Sequence, residues 1–239
     1  MKKIINLFFL LLFGYHISTA QSSLQNQISE GLKYYESGDY GEAEEIFKSL
    51  SKSDKKNDKV FYFLANTQMA LYKFNKAVRN YNKAVRINPK NEDAVFNRGN
   101  AHYELENYIK AIKDMKLALS LDSTLTMAFS VSGSAYFNLE EYEDAVEEFT
   151  TAIKSDSTEA SFYYDRANSF FMLEKYYEAL DDYSKAIELN NTEADYFFNR
   201  ALTRFYLGSE SDACQDLEKA ASLGDTESKE YVLEFCGGI

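Results

Sequence analysis

The chain has 239 residues, of which 45% are apolar and 15% aromatic, enough for a continuous core and too apolar for a disordered chain. It carries 26 Lys and Arg against 38 Asp and Glu, a net charge of −12, so a phosphate-backbone partner would be repelled and nucleic-acid binding is disfavoured. Asn-Gly and Asp-Gly hairpin turns are absent from the sequence, and no segment sustains a period of two, so strand signals are missing.

The N-terminal segment, residues 1–20, has the features of a secretory signal peptide. Lys2 and Lys3 form a basic start, residues 4–13 are almost purely apolar, and small residues precede the predicted cut after Ala20. The apolar run is short for a membrane-spanning helix, which needs about 20 residues; an uncleaved anchor is the alternative. We expect an exported protein, periplasmic or secreted, that does not insert into the membrane after signal cleavage and has a net charge of −14.

A 34-residue period begins after a short linker, residues 21–23. Large apolar residues recur at helical spacing between small ones, so each unit predicts two closely packed helices joined by a tight turn. One position of the unit is alanine in every copy: Ala43, Ala77, Ala111, Ala145, Ala179 and Ala213. The predicted repeats together span 24–227 and are 24–57, 58–91, 92–125, 126–159, 160–193 and 194–227.

This pattern resembles the tetratricopeptide repeat (TPR) family. The resemblance rests on small residues at the eighth, twentieth and twenty-seventh positions of the unit, and on aromatic residues at the seventeenth and twenty-fourth. It implies an all-α, right-handed superhelical solenoid of helix-turn-helix repeats, with a concave groove lined by the first helix of each repeat. The fourth position lacks the family's Trp. A capping helix and tail are predicted in residues 228–239, after the last repeat.

No motif for catalysis or for metal or cofactor binding accompanies the repeats. His102 is the one histidine of the predicted mature chain, and it stands where other copies hold Tyr34, Tyr136 and Phe170, so we interpret it as a packing residue. A single histidine without clustered cysteines excludes an ordinary zinc site, and Gly-rich phosphate loops and nucleophile elbows are absent. We therefore expect a protein that is not an enzyme, with no catalytic residues, metal or cofactor.

The internal copies predict an ion pair within three of the repeats. Arg at the seventh position is always accompanied by Asp at the twenty-third, and the other three repeats lack both. Because the pattern recurs like a packing rule, the pairs are expected to be structural. They are Arg98 with Asp114, Arg166 with Asp182, and Arg200 with Asp216.

The only two cysteines, Cys214 and Cys236, lie near the C-terminus. Each is about ten residues from the chain reversal near Gly224, so at a rise of about 1.5 Å per residue they reach similar heights on antiparallel helices. An oxidising compartment would favour their pairing. A disulfide is predicted, with two free thiols as the alternative.

The resemblance places ligand contacts on the first helices, where this chain carries amides flanked by aromatic rings. Amides can pair with the backbone of a bound peptide, and rings supply apolar area at low entropic cost. The rings either face the groove or pack between first helices. The asparagines are interpreted as exposed, so replacing Asn100 and Asn168 by Ala is expected to leave stability nearly unchanged. The predicted peptide-groove residues are Tyr62, Asn66, Phe96, Asn97, Asn100, Tyr103, Phe137, Tyr164, Asn168, Phe171, Phe198 and Asn199.

Two functions are consistent with these features. The first is a secreted or periplasmic scaffold for protein–protein interaction, which binds a peptide segment of a partner protein in its concave groove. The second is a structural subunit of a cell-envelope assembly, docking through its convex face or its ends. The family's carboxylate clamp for chaperone tails is not expected, because Met127 and Val131 stand where its cations belong.

Overall fold

The computed structural model describes residues 23–237, which form thirteen helices and no strand. None of these helices is both long enough and apolar enough to cross a membrane. The described residues belong to two compact units, Met1–Glu106 and Asn107–Ile239, and each unit is considered by itself. The predicted signal peptide, 1–20, and the first two residues of the linker lie outside the described residues.

The described part of the first unit, residues 23–106, consists of five consecutive helices. Neighbours in sequence pack against one another from α2 to α5, and the first helices α3 and α5 also touch. Asn57 and Asn91 cap α3 and α5, because their side-chain oxygens accept hydrogen bonds from the backbone N–H groups of Val60 and Ala94. The helices are α1 (23–36), α2 (Tyr40–Ser53), α3 (Asp58–Ala70), α4 (Phe74–Ile87) and α5 (Glu92–Glu104).

Residues 107–237 of the second unit form eight helices with the same up-and-down order. Each helix packs against the next, and the first helices α7, α9 and α11 also contact one another in turn. The helices are α6 (Tyr108–Leu121), α7 (Thr126–Asn138), α8 (Tyr142–Ser155), α9 (Ala160–Met172), α10 (Tyr176–Leu189), α11 (Ala194–Tyr206), α12 (Glu210–Ser222) and α13 (Thr226–Phe235). The all-α solenoid of stacked helix pairs expected from the sequence is confirmed, whereas its right-handed superhelical path stays a prediction.

Small residues allow the two helices of a repeat to pack closely. The six alanines that mark the period are completely buried. A Cβ atom on Gly31 would lie only 2.7 Å from the ring of Phe47, and one on Gly133 would lie 2.9 Å from the ring of Phe149. The eighth position is therefore small because the large side chain at the twenty-fourth position occupies the space beside it.

The turn within each repeat always contains one residue in the left-handed region. Glycine fills this position twice, at Gly38 and Gly208, with φ of 85° and 76°. The other four repeats hold residues with side chains there, at φ between 56° and 62°: Tyr72, Glu106, Glu140 and Glu174. Such a conformation costs an L-residue roughly 1–2 kcal/mol, so the helix packing on either side must hold it in place.

The last helix, α13, is tied to the second unit by a disulfide and by aromatic packing. Cys214 on α12 and Cys236 at the end of α13 are joined, with their Cα atoms 5.7 Å apart. The rings of Tyr231 and Phe235 lie against Phe198 and Phe205 of α11, with centroids 5.7 and 6.3 Å apart. The end helix thus covers α11, including Phe198, one of the predicted groove residues.

Candidate functional site

Two of the predicted groove asparagines in the second unit belong to a hydrogen-bond network. The hydroxyl of Tyr183 donates to Oδ1 of Asn168 at 2.6 Å. Nδ2 of Asn199 donates to the same Oδ1 at 3.4 Å and to the hydroxyl of Tyr164 at 2.7 Å. These side chains join α9, α10 and α11, and so connect two successive repeats. The expectation of a simple exposed amide row is therefore wrong at this position.

The first unit contains the same network three repeats earlier. Tyr81 donates to Oδ1 of Asn66 at 2.5 Å, and Nδ2 of Asn97 lies 3.4 Å from that oxygen and 3.3 Å from the hydroxyl of Tyr62. All four residues precede their counterparts by 102 residues, three repeat lengths. The network is therefore set by repeat position: Tyr at the fifth and twenty-fourth, Asn at the ninth, and Asn at the sixth of the next repeat.

Burial explains why these tyrosines need the asparagines. Tyr81 and Tyr183 are each only 1% exposed, and burial raises the pKa of both hydroxyls well above the ordinary value of 10. A buried hydroxyl without a partner costs about 1–3 kcal/mol. The carbonyl oxygens of Asn66 and Asn168 supply that partner, and thereby fix the orientation of both amides.

Each network contains amide groups that remain able to form a hydrogen bond with a ligand. The side chains of Asn66 and Asn168 also interact with the hydroxyls of Tyr62 and Tyr164, so each Nδ2 keeps one of its two N–H groups for a ligand. No described residue donates a hydrogen bond to Oδ1 of Asn97 or Oδ1 of Asn199. Each network therefore offers one amide donor group and one carbonyl acceptor. Those are the two groups needed to pair with the C=O and N–H of a peptide backbone.

Asn100 differs from the other two asparagines at the ninth position. It makes no hydrogen bond to any described residue and is half-buried on α5. In its repeat the fifth and twenty-fourth positions hold Phe96 and Met115, which carry no hydroxyl. Phe96 and Tyr103, two other predicted groove residues, are likewise half-buried on α5.

A cavity of about 270 Å³ adjoins the network of the second unit. Its apolar wall includes Phe137 and Phe171, both predicted groove residues, together with Met172 and Leu202, while Asn168, Tyr183 and Asn199 form its polar side. Met172 is 48% exposed, and Tyr206, whose ring centroid lies 5.3 Å from that of Phe171, is 64% exposed. The cavity is large enough for one apolar side chain, with amide groups at its edge.

Some of the predicted rings pack between helices, and two others, Phe137 and Phe171, line the cavity. Rings at the fifth position pack between helices: Tyr164 lies 4.7 Å from Tyr196 and 5.9 Å from Tyr183, and Tyr62 lies 6.3 Å from Tyr81. Rings at the twelfth position, by contrast, pack edge-on against the seventeenth position of their own repeat. These pairs are Phe137 with Tyr142 at 5.3 Å and Phe171 with Tyr176 at 5.5 Å.

The sixth position of the fifth repeat carries an acid where two other repeats carry an amide. Asp165 occupies the place of Asn97 and Asn199. Burial raises the pKa of its carboxyl to about 6. Burial raises the pKa of the neighbouring Tyr183 and Tyr196 hydroxyls, and the negative charge of Asp165 raises both further. This part of the second unit is thus sensitive to mild acid.

The Arg–Asp pairs of the second unit are bidentate and largely buried. Arg166 donates from Nε and Nη2 to the two carboxylate oxygens of Asp182, both at 2.7 Å. Arg200 does the same to Asp216, at 2.8 and 2.7 Å. Arg204 also reaches Asp216, at 2.6 Å. Pairing of Arg98 with Asp114 stays a prediction.

The seventh-position arginines make a further bond to the preceding repeat, which was not predicted from the sequence. Nη1 of Arg98, Arg166 and Arg200 donates to a side chain of the preceding repeat, at 2.9–3.2 Å. The acceptors share the twenty-fifth position of that repeat: Asn82, Thr150 and Ser184. The sequence did contain evidence for this bond, because a polar residue stands at that position one repeat before each arginine. All three arginines therefore connect successive repeats, and Arg166 and Arg200 also connect the two helices within one.

The chain is a helix-pair repeat protein, because its helix pairs stack at a fixed period. Polar and aromatic side chains lie along its first helices. Tetratricopeptide repeat models match residues 65–106, 92–125, 129–159 and 160–192, which together are more than half of the chain. The chain belongs to the tetratricopeptide repeat family, whose repeats act as scaffolds for protein–protein interaction.

Several solved TPR structures share this fold. PilF of Pseudomonas aeruginosa has 18% identity and a TM-score of 0.75, over 90% of this chain and 98% of its own. YrrB, described as a TPR protein with an unusual peptide-binding site, has 20% identity and a TM-score of 0.65, over 79% and 97%. A TPR protein from Parabacteroides merdae has 23% identity and a TM-score of 0.64, over 89% and 82%. No curated protein sequence matches the chain. At these identities the likeness concerns the fold.

Proposed function

We propose that the protein is an exported, non-enzymatic scaffold that binds a peptide segment of a partner protein along its first helices. The main support for this proposal is that Asn168 and Asn199, which line the 270 Å³ cavity, keep amide groups that can bind a ligand. Apolar space beside fixed backbone-pairing groups is what a peptide with an apolar anchor requires.

The polar side of the cavity is already organised for binding. Oδ1 of Asn168 accepts from both Tyr183 and Asn199, so the amide cannot rotate freely and its N–H groups keep one direction. A group held in position before binding loses less entropy when the ligand arrives. The site therefore favours the main chain of a peptide over a purely apolar ligand.

The apolar side supports an anchor residue. Met172 and Tyr206 leave 48% and 64% of their surfaces in solvent, and Phe137 and Phe171 line the cavity beside Met172. Large apolar side chains clustered at the surface mark an interaction site more often than isolated ones. A flexible methionine also adapts to anchors of different shape. The peptide-binding site named for YrrB is a precedent within the fold.

The net charge of the second unit limits the kind of partner segment that can bind there. Residues 107–239 contain 11 Lys and Arg against 26 Asp and Glu, a net charge of −15. An acidic ligand would be repelled by this field, whereas a neutral or basic one would be attracted and would associate faster. The partner segment is therefore neutral or basic, with at least one apolar side chain.

Two features support export. Residues 1–20 have the composition of a signal peptide. The Cys214–Cys236 disulfide would persist in the periplasm or outside the cell, where thiols are oxidised, but would be reduced in most cytosols.

The test is affinity capture with the chain that starts at residue 21, followed by binding measurements on two variants. Met172→Glu places a charge in the cavity and should abolish capture of the partner. Tyr177→Glu is the matched control, because Tyr177 belongs to the same repeat, is 72% exposed and does not line the cavity. Equal capture by both variants, with unchanged thermal unfolding, would favour a structural subunit that docks through another surface.

A further inference from the structure

The second helix of the second repeat, α4, has a basic surface in an otherwise acidic protein. It contains Lys76, Arg79, Lys83 and Arg86 and no acidic residue, and all four side chains are exposed. Residues 48–90 hold 11 Lys and Arg against two Asp, a net charge of +9 within a chain of net −12. The positive charge is thus concentrated on one part of the first unit.

Two adjoining cavities lie along this helix. The larger, of about 520 Å³, is lined by cations of α2, α4 and the preceding turn, including Lys48, Lys73 and Lys76. The second, of about 300 Å³, is lined by Lys52, Lys55 and Arg86. Ser51 and Lys83 border both cavities, so the two lie next to each other. We call this depression the basic furrow, lined by Lys48, Lys52, Lys55, Lys73, Lys76, Arg79, Lys83 and Arg86.

Most of the charge in the basic furrow is not neutralised. Two carboxylates line it, and each forms one ion pair: Glu44 binds Lys73 and also accepts a hydrogen bond from Gln68 at 2.9 Å, and Glu45 binds Lys48 at 3.1 Å. The other six cations form no ion pair with any described residue. Lys83 is additionally positioned by Oδ1 of Asn80 at 3.2 Å and lies 5.0 Å from the ring centroid of Phe61. Six unpaired cations around one depression attract an anion.

The basic furrow and the candidate groove lie on opposite sides of α3. Leu64 and Gln68 line the furrow, whereas Tyr62 and Asn66 belong to the groove network. Residues two apart on an α-helix point about 200° away from each other. A ligand in the furrow would therefore leave the groove accessible.

We infer that the basic furrow binds an acidic segment of a partner polypeptide, a second interaction site beyond the groove. From Lys76 to Arg86 the furrow extends about 15 Å at 1.5 Å per residue, which is the span of roughly five extended residues. Six of its eight cations are lysines. Lysine suits single carboxylates as a point charge, whereas phosphate sites favour the bidentate fork of arginine.

A long polyanion fits less well than a short acidic segment. Glu44 and Glu45 line the larger cavity and would oppose a continuous phosphate backbone. The net charge of −12 on the whole chain would also repel a long polyanion. A run of Asp and Glu side chains a few residues long meets neither obstacle.

The test measures binding of fluorescein-labelled octaglutamate to the chain starting at residue 21, by fluorescence anisotropy at low salt. Arg79→Glu with Lys83→Glu should weaken binding at least about tenfold, as should a rise in salt from roughly 50 to 200 mM. The control, Lys175→Glu with Lys185→Glu, changes the net charge equally; Lys185 stands three repeats after Lys83, at the same repeat position. This control should bind like the wild type.

Several results would overturn the inference. Absent binding by the wild type, or equal weakening by both double variants, would mean that the furrow is not a site. Stronger binding of single-stranded DNA with the same number of charges would identify a phosphate polymer as the ligand. Self-association that the Arg79→Glu, Lys83→Glu variant loses in sedimentation would identify a second copy of the chain. Groove binding is tested separately by Met172→Glu, so the two proposals can fail independently.

Discussion

Tyr183 donates a hydrogen bond to Asn168 across 2.6 Å, and this bond gives a residue of the candidate groove a structural role as well. Tyr183 is almost completely buried, so its hydroxyl depends on the amide for a hydrogen-bond partner. The same asparagine can therefore hold the repeat together with its oxygen and bind a peptide with its nitrogen.

Replacing Asn168 by Ala should lower the free energy of unfolding by about 1–3 kcal/mol, because the Tyr183 hydroxyl loses its partner. Asn100→Ala is the matched control: it removes the same side chain at the same repeat position, where no hydrogen bond is made, and should change stability by less than about 0.5 kcal/mol. Urea unfolding of both variants provides the comparison. Equal stabilities would show that the network contributes nothing to folding.

Removing Arg166 should be more damaging than removing both members of its ion pair. Arg166 and Asp182 have side chains that are 18% and 10% exposed, so Arg166→Leu leaves a mostly buried carboxylate unpaired, at a cost of roughly 3–5 kcal/mol. Adding Asp182→Leu should recover part of that loss. A double-mutant cycle from denaturant unfolding measures the interaction, and strictly additive losses would contradict it.

Asp165 should make stability depend on pH in mild acid. Its pKa is about 6 when folded, against an ordinary value of 3.8. The folded state therefore binds a proton more tightly than the unfolded state, and stability should fall as pH rises from about 4 to 6. Asp165→Asn should stabilise the protein by up to about 3 kcal/mol at pH 7 and have little effect at pH 4.

The control for this pH effect is Asp195→Asn, which changes an exposed carboxyl on α11. Its unfolding free energy should follow that of the wild type at both pH values. If Asp165→Asn is equally stabilising at pH 4 and pH 7, the effect does not come from the burial of a charged carboxyl.

Reduction of the disulfide should affect the C-terminal end first. The Cys214–Cys236 bond closes a loop with a sequence separation of 22, and a loop of that size contributes on the order of 3 kcal/mol. After reduction, amide protons of α13 should exchange faster than those of α9, because a repeat array loses order from its ends. Hydrogen exchange with and without reductant measures this, and uniform acceleration over the second unit would be inconsistent with a local clamp.

The repeat fold could be predicted from sequence because it depends on residue size at fixed positions. Ala145 at the twentieth position and Gly133 at the eighth are required wherever two helices approach closely, and their recurrence every 34 residues is visible without any structure. Pairs within one repeat, such as Arg166 with Asp182, are similarly visible because both members recur together.

The groove chemistry was harder to predict because it depends on contacts between repeats. Asn97 and Asn199 are both predicted as groove amides, yet the hydroxyls they contact belong to Tyr62 and Tyr164 of the preceding repeat, whose rings are predicted only as apolar surface. The signal was present: repeats with Tyr at the fifth and twenty-fourth positions are followed by Asn at the next sixth position. The left-handed turn residue at Glu140 carried no such signal, because glutamate has no preference for that conformation.

Site-specific photocrosslinking tests most directly whether the groove holds the partner. A benzoylphenylalanine at position 206 lies beside the cavity, because the ring of Tyr206 contacts Phe171. At position 177 the same probe occupies an equally exposed site outside the cavity. In cells that export the protein, we predict a crosslink to one discrete partner from position 206 and none from position 177. A crosslink from position 177 with none from position 206 would contradict peptide binding in the groove.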